Sequence, residues 1–70
     1  MELETFQTQK YTDPDTGITW EGTGEVIDRV SIYDWEEIVD GEDQEGNEYR
    51  ASASVSIGMI VEIHEPEKIA

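Results

Sequence analysis

From Ala51 to Ile63 the chain reads ASASVSIGMIVEI. Odd positions hold Ala51, Ala53, Val55, Ile57, Met59, Val61 and Ile63; even positions hold Ser52, Ser54, Ser56, Gly58, Ile60 and Glu62. Alternation sustained over this whole stretch predicts a β-strand with one apolar face. The stretch is longer than an ordinary strand, and Gly58 is where a bend or bulge is expected. The fold class follows from here: all-β.

Upstream, Ile18, Trp20, Gly22, Gly24, Val26, Val30 and Ile32 fall on one parity, against Thr19, Glu21, Thr23 and Glu25 on the other, with Asp28 breaking the pattern. Beyond Ile32 the apolar parity changes to Tyr33, Trp35 and Val39, so the chain has to bulge or turn between Ser31 and Asp34. Asp34-Trp35-Glu36-Glu37 also has the form of a capping box, which offers one short helical turn over residues 34–39 as the alternative to a strand. Leu3 to Tyr11, rich in Thr and Gln, reads as an edge strand. Gly41 to Asn47, GEDQEGN, reads as the polar loop of a hairpin. The product is a single domain, residues 1–70: an antiparallel meander of four or five strands, twisted or rolled toward a partly open barrel. Its expected core is Trp20, Trp35, Tyr33, Val55, Ile57, Met59 and Val61.

Charge sets the functional expectations. Eighteen acids against four bases give −14 over 70 residues. Such a chain repels nucleic acid and anionic membranes and attracts basic surfaces. There is no cysteine, so neither a disulfide nor a thiolate metal site reinforces the fold. The start, MELETF, lacks the basic and apolar regions of a signal peptide, and no apolar run is long enough to span a bilayer. A soluble, cytoplasmic protein is expected. With His64 as the single histidine and no Ser beside a recognisable base, no catalytic residue is assigned and the chain is read as a non-enzyme without cofactor. Asp13-x-Asp15-x-Gly17 and Asp40-x-Glu42-Asp43-x-Glu45 resemble calcium loops superficially. Counted from Asp13, positions six and twelve hold Ile18 and Gly24; counted from Asp40, they hold Glu45 and Ala51, and neither loop has the required Gly and Glu. No dedicated metal site is assigned, which leaves weak cation association as a minor reading.

Lys10 to Glu25, KYTDPDTGITWEGTGE, carries a Tyr, an Asp-Pro turn closed by Thr16-Gly17, a Thr19-Trp20 pair and a Gly22-x-Gly24 segment. Here Pro fixes φ and Gly accepts a positive φ, so a tight hairpin turn is predicted. The stretch resembles the DNA-binding motif of the histone-like nucleoid-structuring family, through Tyr11, Asp13, Pro14, Thr16, Gly17, Thr19, Trp20, Gly22 and Gly24. In that family Gln or Arg, then Gly, then Arg enters the minor groove. This chain has Thr23-Gly24-Glu25 there, so the resemblance implies a shared hairpin shape without the basic reading residues.

The densest feature is Asp34 to Glu48, where Asp34, Glu36, Glu37, Asp40, Glu42, Asp43, Glu45 and Glu48 place eight acids in fifteen residues with no base. Same-face side chains of a strand recur about every 6.8 Å and neighbouring strands lie about 4.8 Å apart, so two strands together approach the charge spacing of a phosphate track. The leading expectation is an acidic interaction protein that occupies the nucleic-acid-binding surface of a basic partner. In size and charge it is similar to phage-encoded DNA mimics that antagonise CRISPR, restriction or nucleoid proteins. These eight acids, with Tyr33 and Trp35 as apolar anchors, are the candidate partner-binding residues. The partner is a basic nucleic-acid-binding protein; neither nucleic acid nor membrane is bound directly, and a homodimer is open. The alternative is an assembly subunit whose acid serves solubility and whose long Ala/Ser strand pairs with itself or a partner.

Overall fold

The computed structural model describes residues 7–69. Within them five antiparallel strands form one sheet in the order β1-β2-β3-β4-β5. The strands are β1 (Tyr11–Thr12), β2 (Thr19–Arg29), β3 (Asp34–Glu42), β4 (Glu48–Ser56) and β5 (Met59–Lys68). The sheet curls into a half-barrel, and the described residues contain no helix. Leu3 to Phe6 lie outside the described residues; among the described residues of the expected first strand, 7–11, only Tyr11 is in strand, paired with Trp20.

The turns follow their local chemistry. In the first, the Asp13 carboxylate accepts the Asp15 N–H at 2.9 Å, its carbonyl accepts the Gly17 N–H at 2.8 Å, and Gly17 takes φ +74°. The β3–β4 loop is organised by Asp43. Its carboxylate accepts from the N–H groups of Glu45 and Asn47, from the Asn47 amide and from the Tyr49 hydroxyl, all at 2.9 Å. Between β2 and β3 the hub is Ser31. Its hydroxyl oxygen accepts the N–H groups of Tyr33 and Asp34 at 3.1 Å, while the Asp34 carbonyl accepts the N–H groups of Val30 and Ser31. These bonds tie Asp34 back into the turn, so its capping-box pattern starts no helical turn, and residues 34–39 are strand.

Ala51 to Ile63 is not one strand with a bend. It is a hairpin, with Ile57 and Gly58 as its two turn residues at φ +46° and +84°. Ser56 pairs with Met59 and Val55 with Ile60, so the inward parity switches from odd to even across the turn. A bulge at Val61 switches it back, and Ile63 faces Ala53. Two reversals cancel, which is why the alternation runs through the turn undisturbed. β4 itself is hydrogen-bonded on both edges, to β3 and β5, so the Ala/Ser strand has no edge to offer a copy or a partner.

The core is Ile18, Trp20, Trp35, Val39, Ala51, Ala53, Val55 and Ile60, with Tyr49 and Ile63 packed against it. Trp20, Trp35 and Val55 are buried as expected; Tyr33, Ile57, Met59 and Val61 are exposed. Tyr33 lies in the β2–β3 turn, and the other three lie at or just past the β4–β5 turn, beyond the inward parity. Val39 and Val55, fully buried, each contribute about 1.5–3 kcal/mol. Gly41 leaves room for the Trp20 ring, whose edge would lie 2.7 Å from a Cβ at that position, and the ring reaches Tyr49 with centroids 6.4 Å apart. The segment before β1 crosses the concave face: the Gln9 N–H reaches the Gly58 carbonyl at 2.7 Å.

Candidate interaction face

Paired residues of an antiparallel sheet share a face, so the register sorts the acids. Trp35, Glu37, Val39 and Gly41 of β3 point into the curl; Asp34, Glu36, Ile38, Asp40 and Glu42 point out. Outward rows then run across the strands. Glu42 is paired with Thr19 on one side and Glu48 on the other. Glu21, Asp40, Arg50 and Glu67 form a second row, and Asp28, Glu36, Ser54 and Glu62 a third. Arg50 is tied to Asp40, Nε to Oδ1 at 3.0 Å, a pair more than half exposed. Exposed pairs of this kind contribute little to stability.

Of the candidate acids, Asp34, Glu36, Asp40, Glu42 and Glu48 therefore share the outward face, and Glu45 is exposed in the adjoining loop. Asp43 has both oxygens committed to the loop, and the Asn47 amide and its other donors hold its carboxyl at about 2, well below the usual range, against the opposing effect of desolvation. The same bond raises the Tyr49 phenol. Tyr33 is half exposed in the β2–β3 turn, at the other end of the sheet from the β3–β4 loop.

Trp35 and Glu37 are not on this face. Trp35 is 5% exposed and Glu37 4% exposed, so neither meets a partner as the sequence suggested. Glu37 instead closes the core. Its Oε1 accepts from the Thr8 hydroxyl and from Trp35 Nε1, the latter at 2.9 Å, and its Oε2 accepts the Gly24 N–H at 2.9 Å. Burial raises its pKa, but these three donors outweigh it and leave the carboxyl below its ordinary value. A bulge in β2 makes the Gly24 bond possible: residues 23–25 stand opposite Ile38 alone, and Gly24 takes φ +88°. Gly22 is required here, because a Cβ would lie 2.3 Å from Glu37 Oε2.

Reading only the densest run of acids missed Glu21, Asp28, Glu62 and Glu67, which β2 and β5 bring to the same face. The period-two alternation of β2 already set Glu21 opposite Trp20 and Gly22; the β5 acids were hidden by the unrecognised turn. Ser54 and His64 also meet here, Oγ to Nε2 at 2.9 Å, with Glu62 3.9 Å from that same nitrogen. A carboxylate on the nitrogen that faces the serine cannot orient the ring from behind, so this is not a triad arrangement.

Where the first turn meets the β3–β4 loop, a trough of about 470 Å³ is lined by Glu21, Asp40, Glu42, Asp43 and Glu48, with Lys10 at its side. Among the described residues, no group of three His, Cys, Asp or Glu side chains is placed to hold a metal ion. No family model, curated protein or solved structure matches the chain.

Proposed function

We propose that the protein is an acidic interaction module whose outward sheet face occupies the nucleic-acid-binding surface of a basic protein, a DNA-mimic type of inhibitor. The observation that carries this reading is the in-register array: acids from β2, β3, β4 and β5 on one face, which also carries the basic Lys10, Arg50 and the half-buried His64. Charge density supports it. Residues 7–69 hold sixteen acids and four bases, and the molecule measures 43 × 18 × 17 Å. Along the long axis that is one net charge about every 3.6 Å, near the 3.4 Å spacing of one DNA strand. The acidic trough fits a lysine or arginine side chain of the partner. The hairpin at Lys10–Glu25 contributes Glu21 to the array rather than a basic reading residue.

The test is competition. Basic nucleic-acid-binding proteins loaded with a labelled duplex are titrated with this protein and with a Glu36→Lys, Glu42→Lys, Glu48→Lys variant. Those three side chains point outward and hold no other part of the fold together, so the variant folds. The expected result is duplex release by the unaltered protein, with potency reduced about 100-fold in the variant at low salt. Equal potency, or no release from any of them, removes the reading.

A further inference from the structure

The acidic face ends in apolar side chains. Its third row, Asp28, Glu36, Ser54 and Glu62, is followed by Asp34, Ser56 and Met59, which the register sets on the same outward side. The step between the two rows is about 6.8 Å along β3. Met59 is more than half exposed, and beyond it the hairpin turns present Val30, Ile32 and Ile57, exposed by 74%, 70% and 55%. The Ile57 N–H donates to the Tyr33 carbonyl at 2.7 Å, so the β2–β3 and β4–β5 turns lie side by side.

Two features set this end apart from casual exposure. First, the turn that carries Val30 and Ile32 is ordered by the Ser31 hydroxyl and the Asp34 carbonyl. Second, Ile57 takes φ +46°. A β-branched residue is a genuine outlier there, and a two-residue hairpin turn ahead of glycine favours Asn or Asp. An exposed isoleucine in that conformation works against folding, and such outliers persist where the side chain has a use.

Charge decides what covers this end. Asp28, Asp34, Glu36 and Glu62 stand around the apolar side chains. A second copy of the chain meets its own charge there, and so does an anionic membrane. The apolar side chains alone also fall short of a specific interface. A complementary surface carries Lys and Arg against the acids and, directly beside them, a patch that takes aliphatic side chains. Proteins that bind single-stranded nucleic acid are built that way, with a positively charged groove along the backbone and aromatic side chains on which the bases stack. A duplex-binding protein meets stacked bases at their groove edges instead. Charge spacing agrees. Sixteen acids less four bases leave twelve net charges along 43 Å, one about every 3.6 Å, which matches one strand and is half the density of a duplex.

We infer that the partner is a single-strand nucleic-acid-binding protein. The acids of the outward face lie on the cations of its groove, and Ile57, Met59 and Ile32 lie on the aromatic side chains where bases otherwise stack. The Met59 thioether suits an aromatic ring in particular. The inference rests on the reading of the acidic face as a nucleic-acid mimic, and it names the class of protein mimicked against.

Two competition assays run side by side test it. An OB-fold protein on labelled oligothymidylate and a helix-turn-helix protein on its labelled duplex are each titrated with three forms of the full chain. These are the wild type, the Glu36→Lys, Glu42→Lys, Glu48→Lys variant, and Ile57→Asn, which removes the apolar side chain and suits the turn. The expected result is release of oligothymidylate by the wild type, weakened about tenfold by Ile57→Asn. Its melting temperature holds or rises, and release of the duplex shifts by less than about twofold. Ile32→Ser, in the neighbouring turn, gives the same single-strand loss and decides the matter if Ile57→Asn fails to fold. Oligothymidylate release that neither tip variant changes, an equal loss on both partners, or release of the duplex alone overturns the inference and leaves the acidic-face reading standing. Release of neither, or release indifferent to the charge reversal, ends both. Dimerisation through the tip in sedimentation equilibrium, without tip-dependent release, also overturns it.

Discussion

Asp43 and Glu37 are acids in an acidic chain, yet each does something the others do not. Both are held below their ordinary pKa by hydrogen bonds, Asp43 falling from 3.8 to about 2. A carboxyl lowered by folding contributes stability above its unfolded pKa and loses it as pH falls through the folded value. For Asp43 that window runs from about 4 down to about 2. Asp43→Asn keeps an acceptor for the loop N–H groups but loses the bonds from the Asn47 amide and the Tyr49 hydroxyl. The denaturant midpoint of the wild type should therefore drop more steeply than that of Asp43→Asn between pH 4 and pH 2. Discharge of the exposed acids affects both proteins, so the difference isolates Asp43. Parallel curves would show that the loop does not depend on its charge.

At the level of elements, what was legible depended on whether local chemistry and side-chain parity pointed the same way. The Asp13–Gly17 turn and the Gly41–Asn47 loop were readable because Pro, Gly, Asp and Asn act through their own backbone preferences. The irregularity between Ser31 and Asp34 showed as a change of apolar parity. The β4–β5 turn was not readable. Ile57 is the wrong residue for its conformation, and the bulge at Val61 restores the parity that the turn reverses. The inward Ile60, flanked by Met59 and Val61, then looks like the exception when it is the core residue. The candidate face was half legible: alternation within β3 separates Glu36 and Asp40 from Glu37, whereas the contributions of β2 and β5 need a register that no single strand contains. The burial of Glu37 was not legible, because its partners Thr8 and Gly24 lie 29 and 13 residues away in sequence.

For the molecule as a whole, the sorting of acid to one face and apolar side chains to the other leaves like charges on neighbouring strands. Glu42 beside Glu48, and Asp28 beside Glu36, are directly paired in register. Like charges opposite one another across strands are destabilising, and salt screens them because they are exposed. The melting temperature should rise between low and moderate sodium chloride, measured at a concentration where the chain is monomeric. A midpoint that stays level or falls would mean that the Asp40–Arg50 pair outweighs the repulsion.

The clasp of residues 7–10 over the concave face carries a consequence for time rather than for energy. Each strand of the meander pairs with its sequence neighbour, so the hairpins can zip one after another with small loops to close. The Gln9–Gly58 and Thr8–Glu37 bonds instead tie the segment before β1 to the β4–β5 turn and to β3 across long stretches of sequence, and their closure belongs on the native side of the folding barrier. Thr8→Val removes a hydroxyl bond to a charged acceptor, a loss of about 2 kcal/mol. In a stopped-flow chevron that loss should fall almost entirely on the unfolding arm, leaving the refolding rate in place. An equal slowing of refolding would put the clasp in the nucleus. If it closes last, it also opens first, and the lifetime of the folded protein is set at Thr8.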